Sequence, residues 1–367
     1  MKLELKENLN NYLKAEKFTD LLQVQKEVFP ILLKNDDLFC QSPTGTGKTL
    51  AYLLPIINNL DKSKNNVEAI IIVPTNELVQ QLKNQLQKLN KYFNFDFFAI
   101  TKNLDYEWEK RKYHKKSKII VTTIEKIFAL QNKSPIDYRE LKYLIVDEID
   151  MIYHFKQLDL IAKFVKNLRL KNKITYAFFS ATLSGDLQNK IKKTFKINPK
   201  LIDLDNKLTK KVDIKLIKVI ENDKLQVLKE LLESNEINPY FVIIFANKNE
   251  EVKKIYNFLN KNNFKDIRYF NSDLNPRKRK QVFNEAKNEK IIYLITTDLY
   301  ARGIDFNHVS HIINYDLPID LNYFKHRIGR TNRVNDLKGK IYLLFEAKDK
   351  QKIDLIKAKN ENISFKN

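Results

Sequence analysis

The chain has 367 residues, a length that predicts two domains of roughly 150–200 residues rather than one. Its 66 Lys and Arg residues outnumber its 45 Asp and Glu residues, and the net charge of +21 favours a polyanionic partner such as nucleic acid. A lysine- and asparagine-rich composition is the alternative explanation of that charge. The single cysteine, Cys40, excludes an internal disulfide and is expected to be a small buried side chain. With five scattered histidines it provides no zinc-ligand spacing.

Nothing in the sequence predicts insertion into a membrane. Its apolar stretches are too short to span a bilayer, and residues 1–6 mix charges with leucines instead of forming an apolar signal segment. A soluble, cytoplasmic protein is therefore predicted.

Ten short blocks rich in Ile, Val, Phe and Tyr are predicted to be strands, and amphipathic segments separate them. Continuous apolar strands that alternate with helices favour parallel sheets covered on both faces. Both halves are therefore predicted to be doubly wound α/β domains. The predicted strands are 38–41, 69–73, 118–121, 143–146 and 175–179 in the first half, and 240–245, 267–270, 291–295, 311–314 and 340–345 in the second.

A polar segment, residues 203–211, has no clear hydrophobic period and is predicted to be the linker between the halves. The predicted domains are residues 1–205 and 212–367. A helix-like segment, 3–14, and a lysine-rich segment, 349–359, lie near the two ends.

The segment SPTGTGKT, residues 42–49, lies between a predicted strand and an apolar predicted helix, 50–60, which is the setting of a phosphate-binding loop. Its glycines let backbone N–H groups turn toward phosphates, its lysine can reach the β and γ phosphates, and its last hydroxyl can hold Mg²⁺. A glycine turn before a helix is the alternative. The residues are Ser42, Pro43, Thr44, Gly45, Thr46, Gly47, Lys48 and Thr49.

A second candidate site follows the apolar block 143–146, where the chain continues as Asp147-Glu148-Ile149-Asp150. Ligands of open α/β sheets bind outside the carboxyl ends of the strands, which is where these carboxylates are predicted to lie. Asp147 is expected to hold Mg²⁺, and Glu148 to orient and deprotonate an attacking water. An acidic turn that caps a helix is the alternative.

With these motifs the sequence resembles the DEAD-box RNA helicases over nearly its full length. Asp147-Glu148-Ile149-Asp150 stands where that family has Asp-Glu-Ala-Asp, and Ser180-Ala181-Thr182 matches its Ser-Ala-Thr motif. Residues 298–305 match the fifth motif, and residues 326–333 match the sixth, with Asn332 in place of a glycine. The resemblance implies two RecA-like domains with ATP and Mg²⁺ in the cleft between them.

The resemblance also implies roles for individual residues. Arg330 and Arg333 are expected to be arginine fingers that neutralise charge on the transferring phosphate, on one helix face if their segment is helical. Asp305, with Gly303, is expected to belong to the nucleotide site and to bond the ribose hydroxyls. The residues expected to couple hydrolysis to strand separation, or to bridge the domains, are Ser180, Thr182, His326 and Arg327.

Phe18 and Gln25 fit the adenine-recognising motif of the family. Gln25 lies 23 residues before Lys48, as the family pattern requires, and a glutamine amide can bond both N6 and N7 of adenine. Leu21-Leu22 stands where the family has Pro-Thr. ATP rather than GTP is the predicted nucleotide.

The residues expected to contact RNA follow predicted strands, where threonine hydroxyls and arginine can bond phosphate oxygens. Capping of helices or turns is the alternative role of threonines at such positions. The expected RNA-binding residues are Pro74, Thr75, Thr123, Thr297 and Arg302.

Other elements of the RNA clamp in the first domain depart from the family pattern. Asn76 replaces an arginine, Thr101-Lys102 replaces Gly-Gly, and Thr123-Ile124-Glu125-Lys126 replaces Thr-Pro-Gly-Arg. Glycine allows close approach to the backbone and arginine pairs with phosphate, so we expect this domain to hold RNA loosely, with the lysine surplus adding non-specific attraction.

The predicted function is ATP-dependent, sequence-independent unwinding or remodelling of single-stranded or short duplex RNA by a monomer. Ribosome-assembly and RNA-decay factors are partners that the resemblance allows. The first alternative is an RNA-binding clamp or scaffold with poor unwinding, which the altered RNA motifs favour. The second is a DNA-directed helicase, which Gln25 and the Ser-Ala-Thr motif disfavour.

Overall fold

The computed structural model describes the chain except for residues 1–6, 19, 44, 62, 64–65, 101–116, 132–135, 205–212, 221–222, 235, 238, 299–308, 320, 331–338, 359–362 and 367. It divides into two compact units, Met1–Leu208 and Thr209–Asn367. The predicted domain limits, 205 and 212, fall among residues that are not described, so they stay a prediction. Within the described ranges, no helix has both the length and the apolar character that a bilayer crossing requires.

The first unit contains a seven-stranded parallel sheet in the order β3-β4-β2-β5-β6-β1-β7. Its strands are β1 Leu38–Gln41, β2 Ala69–Ile72, β3 Phe97–Ala99, β4 Ile119–Thr122, β5 Tyr143–Val146, β6 Thr175–Ser180 and β7 Lys200–Asp203. Its helices are α1 Glu7–Ala15, α2 Gln23–Leu33, α3 Lys48–Asn58, α4 Asn76–Phe93, α5 Ile124–Gln131, α6 Ile149–His154, α7 Leu158–Lys166 and α8 Gly185–Phe195.

The second unit contains another seven-stranded parallel sheet, in the order β10-β11-β9-β12-β13-β8-β14. Its strands are β8 Asp213–Lys218, β9 Val242–Phe245, β10 Ile267–Phe270, β11 Tyr293–Thr296, β12 His311–Asn314, β13 Lys340–Phe345 and β14 Ser364–Lys366. Its helices are α9 Lys224–Glu233, α10 Asn249–Lys261, α11 Pro276–Lys287, α12 Leu321–Ile328 and α13 Lys350–Ala358.

Side-chain alternation explains how each sheet is buried on both faces. In β2, Ala69 and Ile71 pack into the hydrophobic cluster on one face, whereas Ile70 and Ile72 pack into the cluster on the other. A strand buried on both faces has no polar positions, which is why such strands read as continuous apolar blocks. Cys40 of β1 is buried as predicted, and its burial raises the pKa of the thiol to about 12.

The ten predicted strands and the doubly wound parallel architecture are confirmed. Four further strands, β3, β7, β8 and β14, were not predicted; they are short or alternate charged with apolar residues. The predicted start of the linker at Asp203 is wrong, because Asp203 pairs with Gln41 as the last residue of β7. The apolar helix predicted at 50–60 is α3, which begins earlier, at Lys48.

Candidate nucleotide site and nucleic-acid interface

The carboxyl edge of the first sheet brings the predicted nucleotide motifs together. The phosphate loop follows β1, the acidic motif follows β5, and the Ser-Ala-Thr motif begins at the last residue of β6. These three strands are neighbours in the order β5-β6-β1. Because all strands are parallel, the segments that follow them emerge at the same edge of the sheet.

In the phosphate loop, the lysine is bonded to the loop itself. Lys48 is the first residue of α3 and is buried, and its Nζ donates to the carbonyl oxygens of Ser42 at 2.7 Å and Pro43 at 2.9 Å. The Thr46 hydroxyl donates to the same Pro43 oxygen at 2.8 Å and lies 2.7 Å from the Ser42 hydroxyl. Phosphate oxygens are the natural replacement for these carbonyls as acceptors of the Lys48 ammonium. Thr44 lies outside the described residues.

Gly47 must be a glycine for two reasons. Its φ of +91° lies in the left-handed region that favours glycine. A Cβ at this position would also lie 2.7 Å from Gln25 Nε2 and 2.8 Å from Leu22 Cδ1. The adenine motif therefore packs directly against the phosphate loop.

Gln25 itself is buried, and its amide contacts protein atoms at both ends. Its Oε1 accepts a hydrogen bond from Leu22 N at 2.9 Å, and its Nε2 donates weakly to the Gly47 carbonyl at 3.4 Å. Phe18 is 40% exposed and remains available to a ligand. Adenine recognition by Phe18 and Gln25 stays a prediction.

Both oxygens of the buried Asp147 carboxylate accept hydrogen bonds. Oδ1 accepts from the Glu148 N–H at 2.9 Å, and Oδ2 accepts from the Tyr52 hydroxyl at 3.0 Å. Burial, and next the charge of Glu148, raise the pKa of Asp147 to about 6, although Lys48 acts in the opposite direction. The charged form of Asp147 is therefore costly, and a further cation beside the carboxylate would stabilise it.

Glu148 adopts a left-handed backbone, with φ of +51°, at the start of α6. This conformation is strained for a residue with a Cβ, and such strain concentrates at functional sites. Glu148 is 6% exposed, which places its carboxylate in a largely dry environment beside Asp147.

A hydrogen bond joins the acidic motif and the Ser-Ala-Thr motif: the Thr182 hydroxyl donates to Asp150 Oδ2 at 2.8 Å. Within the Ser-Ala-Thr motif, the Thr182 N–H donates to the Ser180 hydroxyl at 3.1 Å. Movement of one motif would therefore change the position of the other or break the Thr182–Asp150 bond. The coupling role of Ser180 and Thr182 stays a prediction.

The residues expected to contact RNA in the first unit follow β2 and β4, which are neighbours in the sheet. The Thr75 hydroxyl accepts a hydrogen bond from Leu78 N at 3.3 Å and so caps α4, which is the alternative role considered for such threonines. Pro74 is half-buried, and Thr123, between β4 and α5, is buried.

The altered positions of the RNA clamp have local partners of their own. The Glu125 carboxylate accepts a hydrogen bond from the side-chain amide of Gln157, the residue that precedes α7. Asn76 has its Oδ1 buried, with no hydrogen-bond partner among the described residues. Thr101 and Lys102 lie outside those residues.

In the second unit, Arg327 is the centre of a buried polar network. Its guanidinium donates to both carboxylate oxygens of Asp298, to Asn314 Oδ1 and Asn247 Oδ1 at 3.0 Å each, and to the Asp316 carbonyl. These partners follow or end three different strands, so Arg327 ties together the carboxyl edge of the second sheet. The predicted interdomain role of Arg327 stays a prediction.

The remaining predicted residues of the second unit lie near this network or outside the described residues. His326 is buried in α12, and Arg330 lies beyond the end of α12 at Ile328, with its Nε donating to the His326 carbonyl at 3.1 Å. The expectation that Arg330 shares a helix face with Arg333 required Arg330 to be helical, but α12 ends before it. Thr297 is buried after β11. Arg302, Gly303, Asp305 and Arg333 are not among the described residues.

The sequence did not predict the contact of Tyr52 with Asp147, or the network of Arg327. In the sequence Tyr52 is one more large residue in an apolar helix, so its default role is core packing. The only available signal was its position on α3, three residues after Thr49 and four after Lys48, which places all three on one side of the helix.

Comparisons with known proteins agree with these motifs. Residues 22–190 match the family model described as DEAD/DEAH box helicase, and residues 223–335 match that of the helicase conserved C-terminal domain. The DEAD-box ATP-dependent RNA helicase CshB of Listeria monocytogenes is 32% identical over 92% of this chain and 77% of its own length. CshB of Staphylococcus aureus is 31% identical over 96% of this chain and 78% of its own length.

Solved structures extend the similarity to the fold. S. cerevisiae Dbp5 bound to RNA and ADP BeF3 has a TM-score of 0.86 and 24% identity, over 99% of this chain and 94% of that one. The strands and helices of this chain are therefore arranged as they are in that structure.

Proposed function

Because the chain belongs to the DEAD/DEAH box helicase family, we propose that it is an ATP-dependent RNA helicase whose first unit binds and hydrolyses ATP. The observation that carries this proposal is the convergence of Lys48, Asp147 and Glu148 at the carboxyl edge of one sheet. A cation for phosphates, a carboxylate for a metal and a second carboxylate for water are the groups that ATP hydrolysis needs.

Magnesium fits the donors of this site. Thr49 offers a hydroxyl and Asp147 a carboxylate, both of the oxygen type that Mg²⁺ prefers. The raised pKa of Asp147 is a second point of fit, because a bound cation would favour its ionised form. When bound, Mg²⁺ would neutralise charge on the phosphates. Glu148 would orient the attacking water and accept its proton, and Lys48 would hold the β and γ phosphates.

RNA is proposed to bind through its backbone at the edge formed by Thr75 and Thr123. Contacts of this kind carry little sequence information, so partners or local RNA structure would select the target. The expected partners, the monomeric state and the roles of Arg330 and Arg333 as arginine fingers remain predictions.

A clamp with little unwinding activity is the second candidate function. The Glu125–Gln157 hydrogen bond favours it, because an acidic side chain held at the RNA-facing edge opposes phosphate binding. The expectation that the first domain binds RNA weakly is tested by measuring RNA-stimulated ATP hydrolysis at increasing salt concentrations. If binding is mainly ionic and non-specific, the stimulation should fall steeply with salt. A shallow fall together with tight RNA binding would contradict weak binding by the first domain.

The main proposal is tested by ATP hydrolysis with RNA, with DNA and with neither, for the wild type and Glu148→Gln. We expect stimulation by RNA in the wild type and a loss of about 100-fold in Glu148→Gln, which keeps the shape of the side chain but cannot accept the proton. Glu230→Gln changes an exposed glutamate of α9 and is the matched control.

Two other results of this hydrolysis experiment would each favour a different function. Absence of RNA-stimulated turnover in the wild type, together with ATP-dependent RNA binding, would favour the clamp. Equal stimulation by DNA and RNA would favour a DNA-directed helicase.

A further inference from the structure

Tyr52 is a buried tyrosine of α3 whose hydroxyl faces the predicted metal site. Its side chain is 0% exposed, and its ring packs against Phe179 with 5.0 Å between the ring centroids. At the far end of the ring, the hydroxyl donates to Asp147 Oδ2 at 3.0 Å. Packing fixes the ring, so the hydroxyl is held at a defined place beside the carboxylate.

Thr49 lies three positions before Tyr52 on α3, so the two residues share one side of the helix. Of the two side chains that are proposed to hold magnesium, Tyr52 is therefore bonded to Asp147 and is a helix neighbour of Thr49. This link connects the helix after the phosphate loop with the end of β5.

The two hydrogen bonds of the Asp147 carboxylate fix its rotation. Glu148 N–H holds Oδ1, and Tyr52 holds Oδ2. A tyrosine hydroxyl keeps its proton at neutral pH, so Tyr52 is the donor in its bond to the Asp147 carboxylate. With one lone pair of each oxygen occupied, the remaining lone pairs keep a fixed direction.

We propose that Tyr52 is a positioning residue that holds the Asp147 carboxylate in the arrangement required for magnesium. The inference rests on the magnesium site of the proposed function. Groups that hydrogen-bond to metal ligands typically change metal affinity or activity by about 10–100-fold when they are removed. The Tyr52 hydroxyl occupies that position for Asp147.

Tyr52→Phe removes the hydroxyl and keeps the ring against Phe179. Binding of a fluorescent ATP analogue is measured while Mg²⁺ is titrated, and again in excess EDTA. We expect the Mg²⁺ concentration for half-maximal binding to rise about tenfold in Tyr52→Phe. Binding in EDTA should stay close to that of the wild type, because the phosphate loop and Gln25 are unchanged.

Tyr143→Phe is the matched control. Tyr143 is also buried in the first unit, but it begins β5, at the opposite edge of the sheet from Asp147, and its hydroxyl bonds Asn35 and Asn59. This variant should lose thermal stability and keep the Mg²⁺ dependence of the wild type.

The outcomes separate the inference from the function on which it rests. Equal Mg²⁺ dependence of Tyr52→Phe and wild type would overturn the positioning role, as would a change matched by Tyr143→Phe. Nucleotide binding by the wild type that is the same with Mg²⁺ and with EDTA would instead reject the magnesium site itself.

Discussion

The two units share one strand order and differ in what lies at the carboxyl edge of the sheet. Numbered along the chain within its unit, each sheet has the order 3-4-2-5-6-1-7. In each unit, the helix after the first strand begins with a lysine, Lys48 or Lys224, and an aspartate follows the fifth strand, Asp147 or Asp316. In the second unit these two side chains form an ion pair, with 2.9 Å between Lys224 Nζ and Asp316 Oδ1.

The difference lies in the partners of the two lysines. Lys48 is bonded to loop carbonyls, which phosphate oxygens can replace, whereas Lys224 is bonded to a carboxylate and also lies 4.7 Å from the centre of the Tyr315 ring. The glycines that shape the phosphate loop have no counterpart between β8 and Lys224, where the sequence is VIEND. In the second unit, an internal ion pair thus engages the lysine at this place in the fold.

The largest effect is expected when the internal network of the second unit is broken at Arg327. Arg327→Met leaves the Asp298 carboxylate without its cation, and breaking a buried ion pair from one side costs about 3–5 kcal/mol. Chemical unfolding, with hydrogen exchange to assign the loss to the second unit, measures it.

Arg268→Met is the control for this prediction. It breaks a more exposed pair with Glu285 in the same unit and should cost less than about 1 kcal/mol. If Arg327→Met kept wild-type stability and lost only RNA-stimulated hydrolysis, Arg327 would act mainly in coupling between domains.

The second prediction compares the effects of replacing each of the two lysines with alanine. Lys48→Ala should lower the kcat/KM of ATP hydrolysis by about 100-fold or more, because the phosphates lose their preorganised cation. Lys224→Ala should leave hydrolysis nearly unchanged and lower stability by about 1 kcal/mol, because its partner Asp316 is only partly buried. Steady-state kinetics and urea unfolding of both variants provide the comparison. A large loss of activity in Lys224→Ala would show that the edge of the second unit is more than structural.

The fold was more predictable than the contacts within the site. Strands such as β2 and β5 are buried on both faces, so their continuous apolar blocks identify them directly. Strand β7, with sequence KLID, has only two apolar residues, and β8, with sequence DIKLIK, has charged residues between its apolar ones, so neither is a continuous apolar block. Their position in the sheet depends on pairing with distant strands, which a local pattern does not contain.

In the site, the position of the phosphate loop and of the acidic motif at the carboxyl edge of the sheet was predictable, because each directly follows an apolar block that reads as a strand. The Tyr52–Asp147 bond joins residues 95 positions apart, and the Arg327 contact with Asn247 spans 80 positions. Such pairs arise only when the sheet brings its strand ends together. A tyrosine in an apolar helix and an arginine in a basic motif carry no local sign of their partners.

The smallest expected effect concerns the first residue of the fifth strand, which is Tyr143 in one unit and His311 in the other. The Tyr143 hydroxyl is bonded to Asn35 and Asn59, whereas His311, bonded to Ser310 through Nδ1, has its Nε2 buried without a hydrogen-bond partner among the described residues. Burial, and next the charge of Lys340, lower the pKa of His311 from 6.5 to about 4.

The folded protein therefore binds a proton at His311 less readily than the unfolded chain does, and stability should fall as the pH drops from about 6.5 toward about 4. Between about pH 7.5 and about pH 5 the loss due to this group should be about 1–2 kcal/mol. His311→Asn keeps a side chain that can hydrogen-bond to Ser310 but does not titrate, so its stability relative to the wild type should improve as the pH falls. A pH-independent difference between His311→Asn and the wild type would mean that His311 is protonated in the folded protein as readily as in the unfolded chain. In that case the second unit would be no more sensitive to acid at this position than the first is at Tyr143.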